Sequence, residues 1–255
     1  MDHLQRTRLE FTRQATGFAT STATTDRQQT QRFIEAMGPD SKGLVLDVAC
    51  GPGIITSELA AIAREVVAFD LTPEMLTRAQ ERCEKAGRRN VTFKEGSATD
   101  LPFSENSFDA VATRLSFHHF QEPGNVLGEM LRVVKVGGTL VVADVVSSED
   151  NGKSALHNAI ERLRDPSHVR MLPVSELIAL MRAQSLSIAK QDTWDMRREF
   201  EEWVGIIANP ERVNPLRTIM RALAQGGIEA GIGLSIVGGS IVFFHRWHLI
   251  VARKN

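Results

Sequence analysis

Leu44-Val-Leu-Asp-Val-Ala-Cys-Gly-Pro-Gly53 opens as a largely apolar run and closes on a pair of glycines. An apolar run of this length, ended by turn residues, predicts a strand buried on both faces of a sheet. Gly51 and Gly53 let the backbone pass close to a ligand at the carboxyl end of that strand, where open α/β sheets bind their ligands. Val66-Val-Ala-Phe-Asp70 follows about one helix later and ends on a second carboxylate, 17 residues after Gly53.

The spacing of these groups narrows the ligand. A carboxylate at Asp70 can accept hydrogen bonds from both hydroxyls of a ribose. The dinucleotide fingerprint G-x-G-x-x-G fails, because its third glycine falls on Thr56. Asp47 lies four residues before Gly51 and would repel a pyrophosphate, whereas an ammonium group favours it. The pattern suits a nucleoside with a cationic amino-acid tail, which describes S-adenosylmethionine.

Outward from this motif the alternation continues. Thr72 reads as an N-cap with Pro73 at the first helical position. Met75, Leu76, Ala79, Cys83 and Ala86 then share one helical face. Residues 91–94, 108–113 and 139–146 read as strands, with Val126, Leu127, Met130, Leu131 and Val134 marking the helix between the last two. Beyond Val146 we expect helices at 153–164, 175–183, 200–208 and 215–224, a strand at 186–193 and a final β-rich run at 241–252. Alternating strands and helices favour parallel pairing with right-handed crossovers. The expected fold is therefore α/β: a doubly wound, mostly parallel, seven-stranded Rossmann-like sheet with helices on both faces. A C-terminal helical insertion, about 195–239, precedes the last strand. The expected organisation is an N-terminal helical cap (1–42), a cofactor-binding core (43–146) and a remainder carrying the insertion (147–255).

Composition excludes several classes. The 255 residues carry 30 Lys and Arg against 31 Asp and Glu, without the basic excess that phosphate-backbone binding requires. Two cysteines, Cys50 and Cys83, are too few for a disulfide framework or a structural zinc site. Residues 1–13 lack the apolar run of a signal peptide. The longest span candidate, 226–244, is broken by six glycines and Glu229. A soluble, cytoplasmic protein is expected, with a small-molecule substrate and neither nucleic acid nor membrane as partner. The sequence leaves the oligomeric state open.

Six ordered blocks carry a family resemblance: residues 45–53; Asp70 with Leu71-Thr-Pro-Glu-Met75; Gly96-Ser-Ala-Thr-Asp-Leu-Pro-Phe103; Ser107-Phe-Asp109; Phe117-His-His-Phe120; and Leu131-Arg-Val-Val-Lys-Val-Gly-Gly138. Residues 43–146 resemble the class I S-adenosylmethionine-dependent methyltransferases of the type 11, or ubiquinone/menaquinone-biosynthesis, kind. Phe11 to Phe18 is similar to the family's N-terminal segment, with Phe18 where a tyrosine is frequent. Residues 162–170 resemble a bacterial subgroup. The resemblance implies that Asp47 and the Gly51/Gly53 loop hold the methionine end and Asp70 the ribose. It implies that Leu71 and Met75 pack on adenine, that Ser97 and the Ala98 backbone meet its polar edge, and that the Arg114 backbone contacts the amino group. Two positions depart from the pattern: Ala49 replaces a common glycine, and Ser97 a frequent aspartate.

His118 and His119 follow the fourth strand and are the candidate general bases, because histidine titrates near neutral pH; packing against neighbouring loops is the alternative. His157, Glu161 and Arg164, at i, i+4 and i+7, read as a solvated, mutually paired helix face. His245 and His248 fall on opposite faces of the last strand, as core or surface residues. Cys50 reads as a packed residue, and no metal cluster is evident. There is no Asp-Pro-Pro-Tyr-like motif and no Pro-Cys pair after the fourth strand, so macromolecular methylation is disfavoured. The rival functions are cofactor binding for cyclisation, decarboxylation or rearrangement, and a non-catalytic cofactor-binding partner.

Overall fold

The computed structural model describes residues 1–207 and 209–255; the expected end of the 200–208 helix, Ala208, lies outside the described residues. Helices α1 (His3–Thr20), α2 (Thr22–Thr25) and α3 (Arg27–Met37) precede the sheet. Asp2 starts α1 through a reciprocal capping box with Gln5. Then follow β1 (Leu44–Val48), α4 (Ile54–Leu59), β2 (Glu65–Asp70), α5 (Pro73–Lys85), β3 (Val91–Glu95) and β4 (Phe108–Arg114). The chain continues through α6 (Pro123–Val133), β5 (Val134–Val146), α7 (Asn151–Arg164), α8 (Val174–Ala183) and β6 (Ser187–Glu199). It ends with α9 (Phe200–Gly205), α10 (Pro210–Gln225), β7 (Ser235–Val237) and β8 (Ser240–Arg253).

The sheet order is β3-β2-β1-β4-β5-β8-β6, with β7 paired to β8 off that path. The pairs β3-β2, β2-β1, β1-β4 and β4-β5 are parallel, and β8 runs antiparallel to both β5 and β6. The seven expected strands are present. The three-residue β7 is an addition, a hairpin partner for β8 within the glycine-rich stretch 226–239. β6 also runs past the expected Thr193 to Glu199, so the inserted helices begin at Phe200, not near 195. Pro215 lies inside α10, and the helix starts five residues before the expected boundary.

Alternation along the strands builds a core on each face. Leu46, Val48, Val67, Phe69, Leu140 and Val142 pack toward α6 and α8, while Val45, Ala110, Ala112 and Val141 pack toward α3 and α4. A third cluster, around Phe200, Trp203, Leu216, Met220 and Phe243, joins α9 and α10 to β8. The chain leaves β1 toward β2 and β3 on one side and returns through β4 and β5 on the other. This reversal between β1 and β4 opens a crevice at the strands' carboxyl ends, the position that binds ligands in such sheets.

Candidate functional site

A cavity of about 240 Å³ fills that crevice, a little below the range of roughly 300–1,000 Å³ common for ligand sites. Its floor is the 47–53 loop. Gly51 and Gly53 have φ of 53° and 74°, the left-handed region that glycine enters freely. A Cβ at Gly53 would lie 2.7 Å from the Ala79 backbone of α5, so the second glycine serves close helix packing. Ala49 holds φ 55°, a conformation that strains an alanine. The roof is α1, which contributes His3, Thr7, Phe11 and Phe18. Arg8 to Glu95 at 2.7 Å and a bidentate Arg212–Glu10 pair at 2.8 and 3.0 Å tie the roof to the core and to α10.

The two carboxylates at the strand ends are buried and differently held. Asp70 accepts the backbone N–H groups of Gly51 and Thr72, each at 2.8 Å. Asp47 accepts the Thr56 hydroxyl at 2.6 Å. Burial raises the Asp47 pKa to about 7 and that of Asp70 to about 6. Arg114 is half-buried, with its Nη1 enclosed. Its Nη2 donates to the Thr24 carbonyl at 2.8 Å, and its Nη1 has no partner among the described residues. Burial lowers its pKa to about 10, against the pull of Asp47. The wall thus offers an acceptor for a cation at Asp47, a donor for an anion at Arg114 and acceptors for hydroxyls at Asp70.

The strain at Asp47 gives a measurable sign. Between its ordinary 3.8 and about 7 the folded chain holds a proton that the unfolded chain has released. Stability therefore falls as pH rises through that window, by at most about 4 kcal/mol. Asp47→Asn escapes this loss. Its thermal midpoint is expected to match the parent near pH 4 and to exceed it increasingly toward pH 7 in ligand-free protein. Equal midpoints across that range would show that Asp47 is not strained by burial.

A second cavity, about 60 Å³, adjoins the first and shares Phe18, Thr24, Leu115 and His119 with it. Leu115 holds φ 58° directly after β4, a strained conformation of the kind found at functional sites. Beyond it lie three imidazoles: His118 with His119 at 4.2 Å between centroids and with His168 at 5.5 Å. The far wall carries Glu161 and Arg164 of α7, Arg198 of β6 and His245 of β8. The expected solvated face of α7 is corrected here: His157, Glu161 and Arg164 are all buried, while Leu163 of the expected apolar stripe is exposed.

His157, Glu161 and His245 bring three ligand atoms within 4.8 Å of one another, a juxtaposition absent from the sequence reading. Hydrogen bonding argues against an ion there. Arg198 can only donate, and its Nη1 lies 3.1 Å from His245 Nδ1. The ring proton is therefore on Nε2 and donates to Glu161 at 3.0 Å, so the nitrogen that a metal would take is already protonated.

Of the residues singled out in the sequence, Phe18, Asp47, Ala49, Gly51, Asp70, Leu71, Met75, Ser97, Ala98, Arg114 and His119 line the larger cavity. Gly53 lies beneath it, and His118 lines the second cavity. The Ser97 hydroxyl pairs with Thr99 Oγ1 at 2.7 Å. Sequence reasoning missed the Arg114 side chain, Leu115, Asp144 and His168. Asp144 had a signal: a lone carboxylate inside the apolar run 139–146 must find a partner if buried.

Residues 46–142 match the model of the methyltransferase domain family. The chain is 32% identical over 160 residues to the uncharacterized methyltransferase YcgJ of Bacillus subtilis, covering 63% of each chain. It is 36% identical over 146 residues to the uncharacterized protein YafE of Escherichia coli, 57% of this chain and 70% of that one. It is 41% identical over 120 residues to the demethylmenaquinone methyltransferase of Renibacterium salmoninarum, 46% of this chain and 48% of that one. The chain thus spans less than two thirds of YcgJ, and about half of the demethylmenaquinone enzyme, in these sequence matches. The solved structure of YcgJ superimposes with a TM-score of 0.82 and 26% identity, covering 89% of this chain and 98% of that one.

Proposed function

The chain belongs to the class I methyltransferase family, and from that premise we propose that it moves the methyl group of S-adenosylmethionine to an N, O or C atom of a small molecule. The observation that carries the reading is Arg114, which lines the same cavity as Asp47 and Asp70 and has an enclosed, unpartnered Nη1. A buried guanidinium nitrogen without an acceptor is costly, and a carboxylate satisfies it. The amino-acid end of S-adenosylmethionine offers that carboxylate to Arg114 and its ammonium to Asp47, while its ribose hydroxyls suit Asp70. Leu71, Met75 and Ala98 would hold the adenine, and Ser97 would meet its polar edge. S-adenosylmethionine, when bound, supplies an electrophilic methyl group on a sulfonium.

The chain's residues act chiefly by position. Asp47, Asp70 and Arg114 would hold the donor at three points and so orient it. Helix α1, with Phe11 and Phe18, covers the site and excludes water. Holding the two reactants in line replaces an encounter in solution with a positioned one, worth up to roughly 7–11 kcal/mol of barrier in well-oriented systems. His118 and His119 line the second cavity, and His119 the first as well. The second cavity is the acceptor's side, and its small volume of about 60 Å³ favours a small molecule over a polymer.

The test is calorimetric titration of the ligand-free protein with S-adenosylmethionine, S-adenosylhomocysteine and NAD in parallel. We expect both adenosyl ligands to bind with 1:1 stoichiometry and NAD to be silent. Binding of NAD alone, or of none, overturns the reading. Release of S-adenosylhomocysteine in an acceptor screen then separates methyl transfer from a cyclisation or rearrangement that leaves the donor intact.

A further inference from the structure

We infer that the second cavity takes a small phenol or enol as methyl acceptor, and that His118, oriented by Asp144, removes its hydroxyl proton; this rests on the methyltransferase reading above. Each of the three imidazoles has one nitrogen committed to the protein. His118 Nδ1 donates to Asp144 Oδ1 at 2.6 Å. His119 Nδ1 donates to the Ser167 carbonyl at 3.1 Å. His168 Nε2 donates to Asn158 Oδ1 at 2.8 Å, the Asn158 amide nitrogen being engaged with the Ser154 and Met171 carbonyls. The free lone pairs are therefore on His118 Nε2, His119 Nε2 and His168 Nδ1.

Three imidazoles this close cannot all carry a proton, and a hydrogen-bonded carboxylate decides which one does. Only His118 has such a partner. Asp144 is itself pinned, since it also accepts the backbone N–H groups of Val145 at 2.7 Å and His118 at 3.2 Å. The groups facing the cluster are Asp144 of β5, Glu161 and Arg164 of α7, Asp165 after it, Arg198 of β6 and His245 of β8. Burial opposes protonation of His118, but the charge and hydrogen bond of Asp144 outweigh it and leave its pKa raised. Burial, and then the charge of His118, lower His119 to about 4 and His168 to about 2. One nitrogen, His118 Nε2, is the base.

A base of this strength is matched to a hydroxyl of phenolic or enolic acidity better than to an alkyl alcohol. A neutral amine needs no base to attack. Trp247 and Phe18 give the cavity flat apolar walls, Met171 and Val145 extend them, and Arg164 gives it a cation for a developing oxyanion. At about 60 Å³ it is smaller than the roughly 150 Å³ that holds a benzene. It therefore admits only part of the molecule, with the hydroxyl where the two cavities meet at Leu115 and His119, so that the oxygen faces the donor. In the reaction the O–H proton goes to His118 Nε2 and an oxygen lone pair forms the bond to the methyl carbon. The carbon–sulfur bond breaks with its electron pair on sulfur. The products are the methyl ether, S-adenosylhomocysteine and an imidazolium that returns its proton to water.

The probe is 4-cyanophenol, whose phenolate has its own ultraviolet band. It is titrated into full-length protein saturated with S-adenosylhomocysteine, at a pH where the free probe is un-ionised. Bound probe is expected as phenolate. Asp144→Asn is expected to lower the bound phenolate-to-phenol ratio by about tenfold or more, equivalent to one pKa unit. His118→Asn should abolish the band. Absence of binding, binding as neutral phenol, or a ratio indifferent to Asp144→Asn and His118→Asn overturns the inference. S-adenosylhomocysteine affinity, measured on every sample, is the folding control; if Asp144→Asn fails it, His118→Asn decides. Wild-type protein that binds S-adenosylhomocysteine but yields no phenolate sinks this inference alone. Wild-type protein that does not bind it sinks the methyltransferase reading, and the inference with it.

Discussion

Asp70→Ala is expected to weaken S-adenosylmethionine binding by about 10²–10⁴-fold, since two hydrogen bonds to a charged acceptor contribute roughly 1.5–3 kcal/mol each. The loss has a second source. Asp70 holds the N–H groups of Gly51 and Thr72, so its removal also frees the glycine loop that forms the cavity floor. Asp70→Asn separates the two, because an amide oxygen can keep one of those backbone contacts; its affinity should fall between the parent and the alanine variant. The same geometry sets a pH dependence. Asp70 is raised to about 6 and Asp47 to about 7 in the ligand-free chain. Protonation removes acceptor capacity from Asp70 and negative charge from Asp47, so affinity should decline as pH falls through 7 and then 6. Calorimetric affinities for Asp70→Ala within about threefold of the parent, well under the hydrogen-bond energies above, would place the ribose elsewhere.

The layout at this end of the sheet was legible because its signals are local. A buried strand, two glycines and a carboxylate at each of two strand ends are all read within single elements. Alternation of strand and helix gave the parallel core for the same reason. Less legible were features set by tertiary context. β6 was expected only to Thr193; Asp195, Arg197, Arg198 and Glu199 hide its continuation to Glu199, where pairing to β8 supplies what the composition does not. Helix α7 misled in the opposite way. Leu156, Ile160 and Leu163 marked an apolar stripe, yet the face turned inward carries His157, Glu161 and Arg164. Their partners, Arg198 and His245, arrive from β6 and β8, tens of residues later, and no local pattern announces them. Arg114 was assigned through its backbone; its side chain acquires meaning only once Asp47 and Thr24 are placed beside it.

The buried charges of α7 make Glu161 the position where the structural and sequence readings diverge most in energy. A solvated face predicts that Glu161→Ala changes stability by no more than about 0.5 kcal/mol. In the structure Glu161 is 2% exposed and accepts His245 Nε2 at 3.0 Å, with Arg164 Nη1 at 3.5 Å and His157 Nε2 at 3.8 Å. Burial opposes its ionisation, yet the two histidines and Arg164 hold its pKa well below the usual carboxylate range. His245 bridges this carboxylate to Arg198, which is paired in turn with Glu202 at 2.9 Å. Removing Glu161 leaves a guanidinium and an imidazole N–H buried without their acceptor. Loss of one partner of a buried pair costs about 3–5 kcal/mol, which for a chain of this size lowers the thermal midpoint by on the order of 10 °C. The sign with pH is fixed as well. A carboxylate lowered on folding contributes above its ordinary value of 4.5, so the parent's advantage over Glu161→Ala should be full at pH 7 and shrink as pH falls below that value. Glu161→Ala combined with Arg164→Ala should recover part of the loss, because the stranded cation goes too. A melting curve of Glu161→Ala within about 2 °C of the parent at pH 7, the shift a fraction of a kcal/mol would give, would return α7 to the solvated face that its sequence suggests.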